Sequence, residues 1–327
     1  MINIILNRTV LITEPVSKEV VDKLIACGFT IKRGSGLGEG EIINDLSGCE
    51  AVIIRAAKIT RRIIEESPSL RIIAKHGSGL DSIDLEAAFD HKITVINSPG
   101  FNSISVAEHT IGLVIACAHS LLKNNKEYEK GNYYDKDISG ISEISGKTIG
   151  LVGYGNVSKK VAEMASNGFS MKVLVYDPYI DILQSNPNIL LCESIETLIS
   201  SSDFISLHVP ATNNTYHMVD KFFISKMKKT AFLINTSRGS VVDNDALVDA
   251  LKHKKIAGAG LDVTEPEPLP QNHYLLNDLN VIVTPHSAAS SREAMLRMGE
   301  SVVNDLVLYF MNKKPIHIVS NLFFKRF

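Results

Sequence analysis

Residues 148–177 constrain the fold of this chain more than any other stretch. Residues 148–152 read TIGLV, a short apolar run suited to a buried parallel strand. Gly153 and Gly155 follow, then a run with Val157, Val161, Ala162, Met164 and Ala165 at helical spacing, which Gly168 is expected to close. Residues 172–176 (KVLVY) form a second strand and end at Asp177. Strand, glycine turn, helix, strand and acid make a βαβ unit with the dinucleotide fingerprint. Gly153 makes the tight turn. Gly155 lets the backbone approach a pyrophosphate, and the N–H groups of Asn156 and Val157 face its charge. Asp177 stands where a carboxylate accepts hydrogen bonds from an adenosine ribose and repels a 2′-phosphate, so NAD is expected rather than NADP. The third fingerprint position is Ser158 instead of glycine, still small enough for helix and strand to pack.

From 148 onward the pattern repeats, with candidate strands at 148–152, 172–176, 204–208, 231–235, 258–262 and 281–284. Six parallel strands complete a doubly wound dinucleotide domain. Before it, strands at 9–13, 29–32, 51–55, 71–75 and 93–96 alternate with helical stretches, again an α/β pattern with a parallel sheet. Ser98-Pro99-Gly100-Phe101 reads as a hinge. A helix over 103–130 follows, apolar on nearly every face at 111–122, which calls for cover on all sides by two domains or two subunits. Residues 290–313 read as one helix returning to the first domain. The expected architecture is α/β with two domains, each a doubly wound parallel sheet with flanking helices. A Rossmann-type cofactor domain (101–289) is inserted into a discontinuous flavodoxin-like substrate domain (1–100 plus 290–327).

At 327 residues the length suits two domains. A formal net charge of −2 with no basic block gives no reason to expect nucleic acid as a partner. Asn7 and Arg8 interrupt the apolar N-terminus, and no run approaches the roughly 18 apolar residues of a membrane span, so neither a leader nor a membrane partner is expected. Cys27, Cys49, Cys117 and Cys192 lie far apart, which suggests reduced, buried thiols in a cytoplasmic protein. No cluster has metal-ligand spacing.

In open α/β sheets ligands bind beyond the carboxyl ends of the strands. The chemically interesting residues fall there: Gly153, Asp177, His208-Val209-Pro210, Thr236-Ser237-Arg238-Gly239, Asp262 with Glu267, and His286. An arginine, two carboxylates and a histidine suit the reduction of a 2-oxo acid. The nicotinamide supplies hydride. Arg238 can orient the carboxylate and polarise the carbonyl with its planar fork. His286 can protonate the new alkoxide near neutral pH, with Glu267 against its ring. Arg55, after a first-domain strand, either binds a substrate phosphate or is merely exposed. The other histidines read as structural or exposed.

Thr236-Ser237-Arg238-Gly239, residues 260–268 (GLDVTEPEP) and Thr284-Pro285-His286 resemble the signatures of the D-isomer-specific 2-hydroxyacid dehydrogenase family (phosphoglycerate dehydrogenase and hydroxypyruvate reductase-like), and the likeness covers nearly the whole chain. Residues 75–84 (KHGSGLDSID) look like its carboxylate-binding loop, and 105–109 (SVAEH) like the start of its interdomain helix. The resemblance implies that Arg238, Glu267 and His286 are the catalytic set, with His286 the proton donor. It implies that Asn156, Val157, Asp177, Val209, Pro210, Thr215, Thr236, Ser237 and Asp262 line the NAD site, and that the backbone at Gly77, Ser78 and Gly79 holds the substrate carboxylate. Thr264 departs from the family, where an aromatic is frequent. The chain is expected to lack the regulatory domain that some phosphoglycerate dehydrogenases append. Formate dehydrogenase, a relative with an amide where Glu267 stands, is disfavoured. The expected activity is interconversion of a D-2-hydroxy acid and its 2-oxo acid, by a homodimer. The alternative is an NAD(H)-sensing protein that resembles co-repressors of the same fold.

Overall fold

The structure is a computed structural model and describes residues 7–132, 141–180, 188–278 and 280–320. The chain divides into two compact units, one built from 1–102 with 290–327 and the other from 103–289.

The first unit alternates strand and helix: β1 (Arg8–Ile12), α1 (Lys18–Ala26), β2 (Phe29–Arg33), α2 (Glu39–Leu46), β3 (Ala51–Ile54), α3 (Arg61–Glu65), β4 (Ile72–Lys75), α4 (Leu85–Asp90) and β5 (Thr94–Ile96). The five strands are parallel in the order β2-β1-β3-β4-β5. That is the flavodoxin-like order, with its reversal between β1 and β3. Strands β3 and β4 are buried throughout, as a sheet covered on both faces requires. Short polar side chains start the helices: Ser17, Thr60 and Asp84 each accept from a backbone N–H in the first turn.

The second unit contains α5 (Ser103–Ala118), α6 (Leu121–Glu129), β6 (Thr148–Val152), α7 (Asn156–Phe169), β7 (Lys172–Tyr176), β8 (Ile189–Leu191), α8 (Ile195–Ser201), β9 (Phe204–Leu207), α9 (Lys221–Ser225), β10 (Phe232–Asn235), α10 (Asn244–Lys252), β11 (Gly258–Leu261), α11 (Tyr274–Asn277) and β12 (Val281–Val283). Its sheet is parallel in the order β12-β11-β10-β9-β6-β7-β8. This is the doubly wound dinucleotide order with one further strand, reversing between β6 and β9. The chain then returns to the first unit as α12 (Arg292–Phe310), whose Ser98 Oγ–Met298 O and Arg297 Nε–Phe101 O bonds hold the 98–101 segment.

Three expectations need correction. The second sheet has a seventh strand, β8, among the described residues. It is three residues long and Leu190 points out to solvent, so it carries too little periodicity to be read from sequence. The 103–130 helix is broken in two. Ser120 turns left-handed (φ 50°) and the Ala118 carbonyl accepts from Ser142 N instead of continuing the helix. The two pieces meet at a 58° bend, and no single helix among the described residues is long and apolar enough to cross a membrane. Gly168 does not end α7. The turn falls at Ser170 (φ 55°), where Met171 N donates to Ala165 O and closes the helix. The apolar faces of α5 are largely used inside its own unit, against α7, β10, β11 and β12. All four cysteines are free thiols; Cys49 and Cys117 are buried and Cys27 and Cys192 half-buried.

Candidate active site

The reversal between β6 and β9 opens a crevice at their carboxyl ends, and the glycine turn sits in it. Gly153 has φ 88°, and a Cβ there would stand 2.9 Å from His208 O. Only glycine meets both demands. Gly155 precedes α7, no side chain caps that helix, and a Cβ at 155 would meet nothing within 4 Å. The start of α7 is thus uncapped and unobstructed at Gly155, as binding of a diphosphate needs. Asp177, at the end of β7, accepts from Tyr154 N (2.8 Å) and Tyr179 N (2.9 Å), so it also pins the glycine turn. These bonds use one site on each oxygen and leave others for ribose hydroxyls. Ser158 is fully buried and its hydroxyl has no partner among the described residues. Val209 touches the Gly153 position, and Thr215 closes the 210–215 loop by donating to Pro210 O (2.6 Å) and accepting from Thr212 N (2.8 Å). These features fit a dinucleotide.

Strands β10, β11 and β12 run side by side in register, with Asn235 opposite Leu261 and Leu261 opposite Val283. Arg238 and His286 each come three residues past a strand end, and Glu267 lies in the loop between them. The Arg238 turn is built by Asn235, a buried residue that the sequence reading passed over because it sits inside a strand. Its Oδ1 accepts from Ser237 N and Ser237 Oγ, and its Nδ2 donates to Arg238 O. Arg238 Nη1 rests on Ser237 O (2.7 Å), and Thr236 Oγ1 meets Thr110 Oγ1 (2.9 Å). A Cβ at Gly239 would run into Thr264 O, so the missing side chain lets the Glu267 loop lie against the Arg238 turn. Thr264, the family departure, is buried and donates to Pro266 O (2.9 Å).

His286 has φ 50° and is exposed, and its Nδ1 meets Glu267 Oε1 at 2.7 Å. The carboxylate accepts only, so Nδ1 carries a proton in this contact. Asp262, expected along the cofactor, is 2% exposed. Its carboxylate accepts from Thr284 Oγ1 (2.6 Å), Ser287 N (2.9 Å) and Ala288 N (2.9 Å), and its carbonyl from His286 N (2.9 Å). It holds the histidine loop from beneath, a role that spacing alone does not reveal.

In the first unit, Arg55 and the 77–79 loop follow β3 and β4, again at carboxyl ends. Glu14, which the sequence reading missed, accepts from Arg55 N, Ala56 N, Ala57 N and Thr13 Oγ1. Burial opposes its charge, but those hydrogen bonds prevail and hold its carboxyl below the usual range. The buried Lys75 amine donates to Arg55 O and Ser82 Oγ, joining the two loops. Arg55 Nη1 donates to Pro15 O (3.2 Å). Gly77 is extended, and Ser78 Oγ donates to Ser98 O and Asn102 Oδ1 (both 3.1 Å). His76 is buried against Met295 O, and desolvation lowers its pKa.

Fold and site together define a two-unit α/β protein with a dinucleotide-type sheet and a histidine–carboxylate pair at its carboxyl edge. The profile described as D-isomer specific 2-hydroxyacid dehydrogenase, NAD binding domain, matches residues 111–288. A D-3-phosphoglycerate dehydrogenase of Archaeoglobus fulgidus is 37% identical over 91% of this chain and 56% of its own length. A hydroxypyruvate reductase of Thermotoga maritima is 36% identical over 90% of this chain and 96% of its own. The crystal structure of TT0316 from Thermus thermophilus superposes with a TM-score of 0.88 at 31% identity, covering 95% of this chain and 100% of that one. The chain spans only about half the length of the phosphoglycerate dehydrogenases it matches. It belongs to the D-isomer-specific 2-hydroxyacid dehydrogenase family, and residues 111–288 are its NAD-binding domain.

His208 adds a pH dependence. Its Nε2 meets Ser206 Oγ (3.0 Å), and enclosure by the surrounding protein pushes its pKa from 6.5 down to about 4. Between those values the unfolded chain binds a proton that the folded protein does not. Stability therefore falls as pH is lowered through that window. Urea midpoints at neutral pH and at pH ~4.5 should show wild type losing on the order of 1–3 kcal/mol more than His208→Gln. Equal losses would show that His208 is not the group responsible.

Proposed function

We propose that this protein is an NAD-dependent D-2-hydroxyacid dehydrogenase, interconverting a D-2-hydroxy acid of the hydroxypyruvate, glyoxylate or 3-phosphoglycerate class and its 2-oxo acid. The observation that carries this reading is the 2.7 Å His286–Glu267 pair, set past β12 on a dinucleotide sheet whose β10 leads to Arg238. NAD supplies or accepts the hydride. Arg238 engages the substrate carboxylate and polarises the carbonyl with its fork. Glu267 accepts from Nδ1 of His286 and fixes the ring, so that Nε2 gives its proton to the forming alkoxide in reduction and takes it back in oxidation. No observation favours NAD(H)-dependent interaction without turnover, the alternative reading.

Gly153, Gly155, Asn156 and Val157 would bind the pyrophosphate, and Asp177 the ribose. Val209, Pro210, Thr215, Thr236, Ser237 and Asp262 would line the remainder of the cofactor site. The segments 1–100 and 290–327 are read as the substrate domain, with the backbone of Gly77, Ser78 and Gly79 taking the substrate carboxylate and Arg55 a phosphate where one is present. Residues 101–289 are read as the cofactor domain. The free thiols suit a cytoplasmic protein. The homodimer reading rests on Ile104, Leu121 and Tyr128, exposed apolar groups on α5 and α6.

A panel of glyoxylate, hydroxypyruvate, phosphohydroxypyruvate, pyruvate and longer 2-oxo acids, followed by NADH absorbance, should give turnover with at least one member. His286→Ala should lower that turnover about 10²- to 10⁴-fold. No turnover with any of them would defeat the enzyme reading, and full activity of the variant would defeat the role of His286.

NADH should exceed NADPH by at least about tenfold in kcat/KM, or about 1.4 kcal/mol, because Asp177 meets the 2′-phosphate with like charge. Asp177→Ala should narrow that gap while lowering NADH use. Equal use of both cofactors by wild type would contradict it. Light scattering should give about twice the 35.8 kDa chain mass, and a concentration-independent monomer would refute the dimer.

A further inference from the structure

The left-handed backbone of His286 needs support, because φ 50° is disfavoured for a non-glycine residue. Asp262 supplies part of that support from below the loop. The remainder comes from α5, through side chains one helical turn apart. Ser105 Oγ donates to Ala288 O at 2.6 Å, at the far end of the loop. His109 Nε2 lies 3.0 Å from Thr284 Oγ1 and 3.5 Å from Asp262 Oδ1, at its near end. Positions 105 and 109 share one face of a helix, so a single rigid element grips both ends of 284–288.

The direction of the hydrogen bonds follows from counting protons. Thr284 has one hydroxyl proton, and it goes to Asp262 Oδ1 at 2.6 Å. Thr284 Oγ1 can then only accept from the ring, so His109 carries a proton on Nε2. Both atoms near Nε2 are acceptors. Ring, hydroxyl and carboxylate form one chain, His109 to Thr284 to Asp262, and the same carboxylate receives Ser287 N and Ala288 N.

We propose that His109 is a positioning residue for His286: its Nε2 proton locks Thr284 onto Asp262, and that lock holds the 284–288 backbone so that the His286 ring meets Glu267. The proposal rests on the reading of His286 as the proton donor. It assigns His109 no contact with substrate or cofactor.

The test compares His109→Leu, which removes the donor, with His109→Gln, whose side-chain amide can place an N–H near the same point. Two readouts are taken on the full chain. In steady-state reduction by NADH, His109→Leu should lower kcat about 10- to 100-fold with little change in the KM for NADH, because a loosened acid costs chemistry rather than cofactor binding. His109→Gln should recover most of the rate. In hydrogen exchange followed by mass spectrometry without substrate, peptides spanning 284–288 should exchange at least about tenfold faster in His109→Leu and near the wild-type rate in His109→Gln. Equal damage in both variants, unchanged exchange in His109→Leu, or an effect confined to the KM for NADH would each overturn the proposal. If wild type reduces no 2-oxo acid, the functional reading fails by itself, and exchange alone decides whether His109 holds the loop.

Discussion

Parallel pairing of β6, β7 and β9 to β12 is the constraint on which the second unit depends. It places the carboxyl ends of these strands on one edge of a single sheet, so six separate loops open there. The reversal between β6 and β9 makes the crevice, since the connections leave those two strands in opposite directions. Everything assigned to the cofactor or to acid–base chemistry in this unit sits on those loops or at the start of α7. The first unit repeats the arrangement on its five-stranded sheet, with Glu14 and Arg55 at its own reversal.

The loops are held by backbone-directed hydrogen bonds from buried or half-buried polar side chains. Asn235 shapes the Arg238 turn, Asp262 the His286 loop, Asp177 the glycine turn and Glu14 the 55–57 loop. Each accepts from or donates to main-chain groups that a turn leaves unpaired, and burial makes leaving them unpaired costly. His286 and Glu267 are exposed, while Asp262 beneath the histidine loop and Asn235 beneath the Arg238 turn are buried. Gly153 and Gly239 add the complementary device, an absent side chain where two loops pass too closely for a Cβ.

Much of this was legible in the sequence because it is local. The apolar runs at 148–152 and 204–208, the glycine turn and Asp177 encode their conformation within a few residues, and the order of strands and helices limits the topology. The places that resisted reading are those where distant contacts decide. Ser120 breaks the α5–α6 run because Ser142 takes the Ala118 carbonyl, a competition that helical periodicity cannot register. Strand β8 exists because β7 offers it a partner, not because three residues prefer extension. Gly168 looked like the end of α7, but the closing bond runs from Met171 to Ala165 and puts the turn at Ser170.

The sequence by itself determined two α/β sheets, the family, and the residue types able to carry hydride-linked proton transfer. These follow from periodicity and from motifs whose chemistry is written in adjacent residues. Only the tertiary structure decided that Asp262 lies under the His286 loop, that Asn235 is the scaffold of Arg238, and that His109 of α5 reaches Thr284 across 175 residues of chain. A carboxylate or an imidazole has the same letter whether it meets a ligand or a backbone amide. Which of these it meets is set by the packing of elements far apart in sequence, and that packing exists only once the sheet has formed.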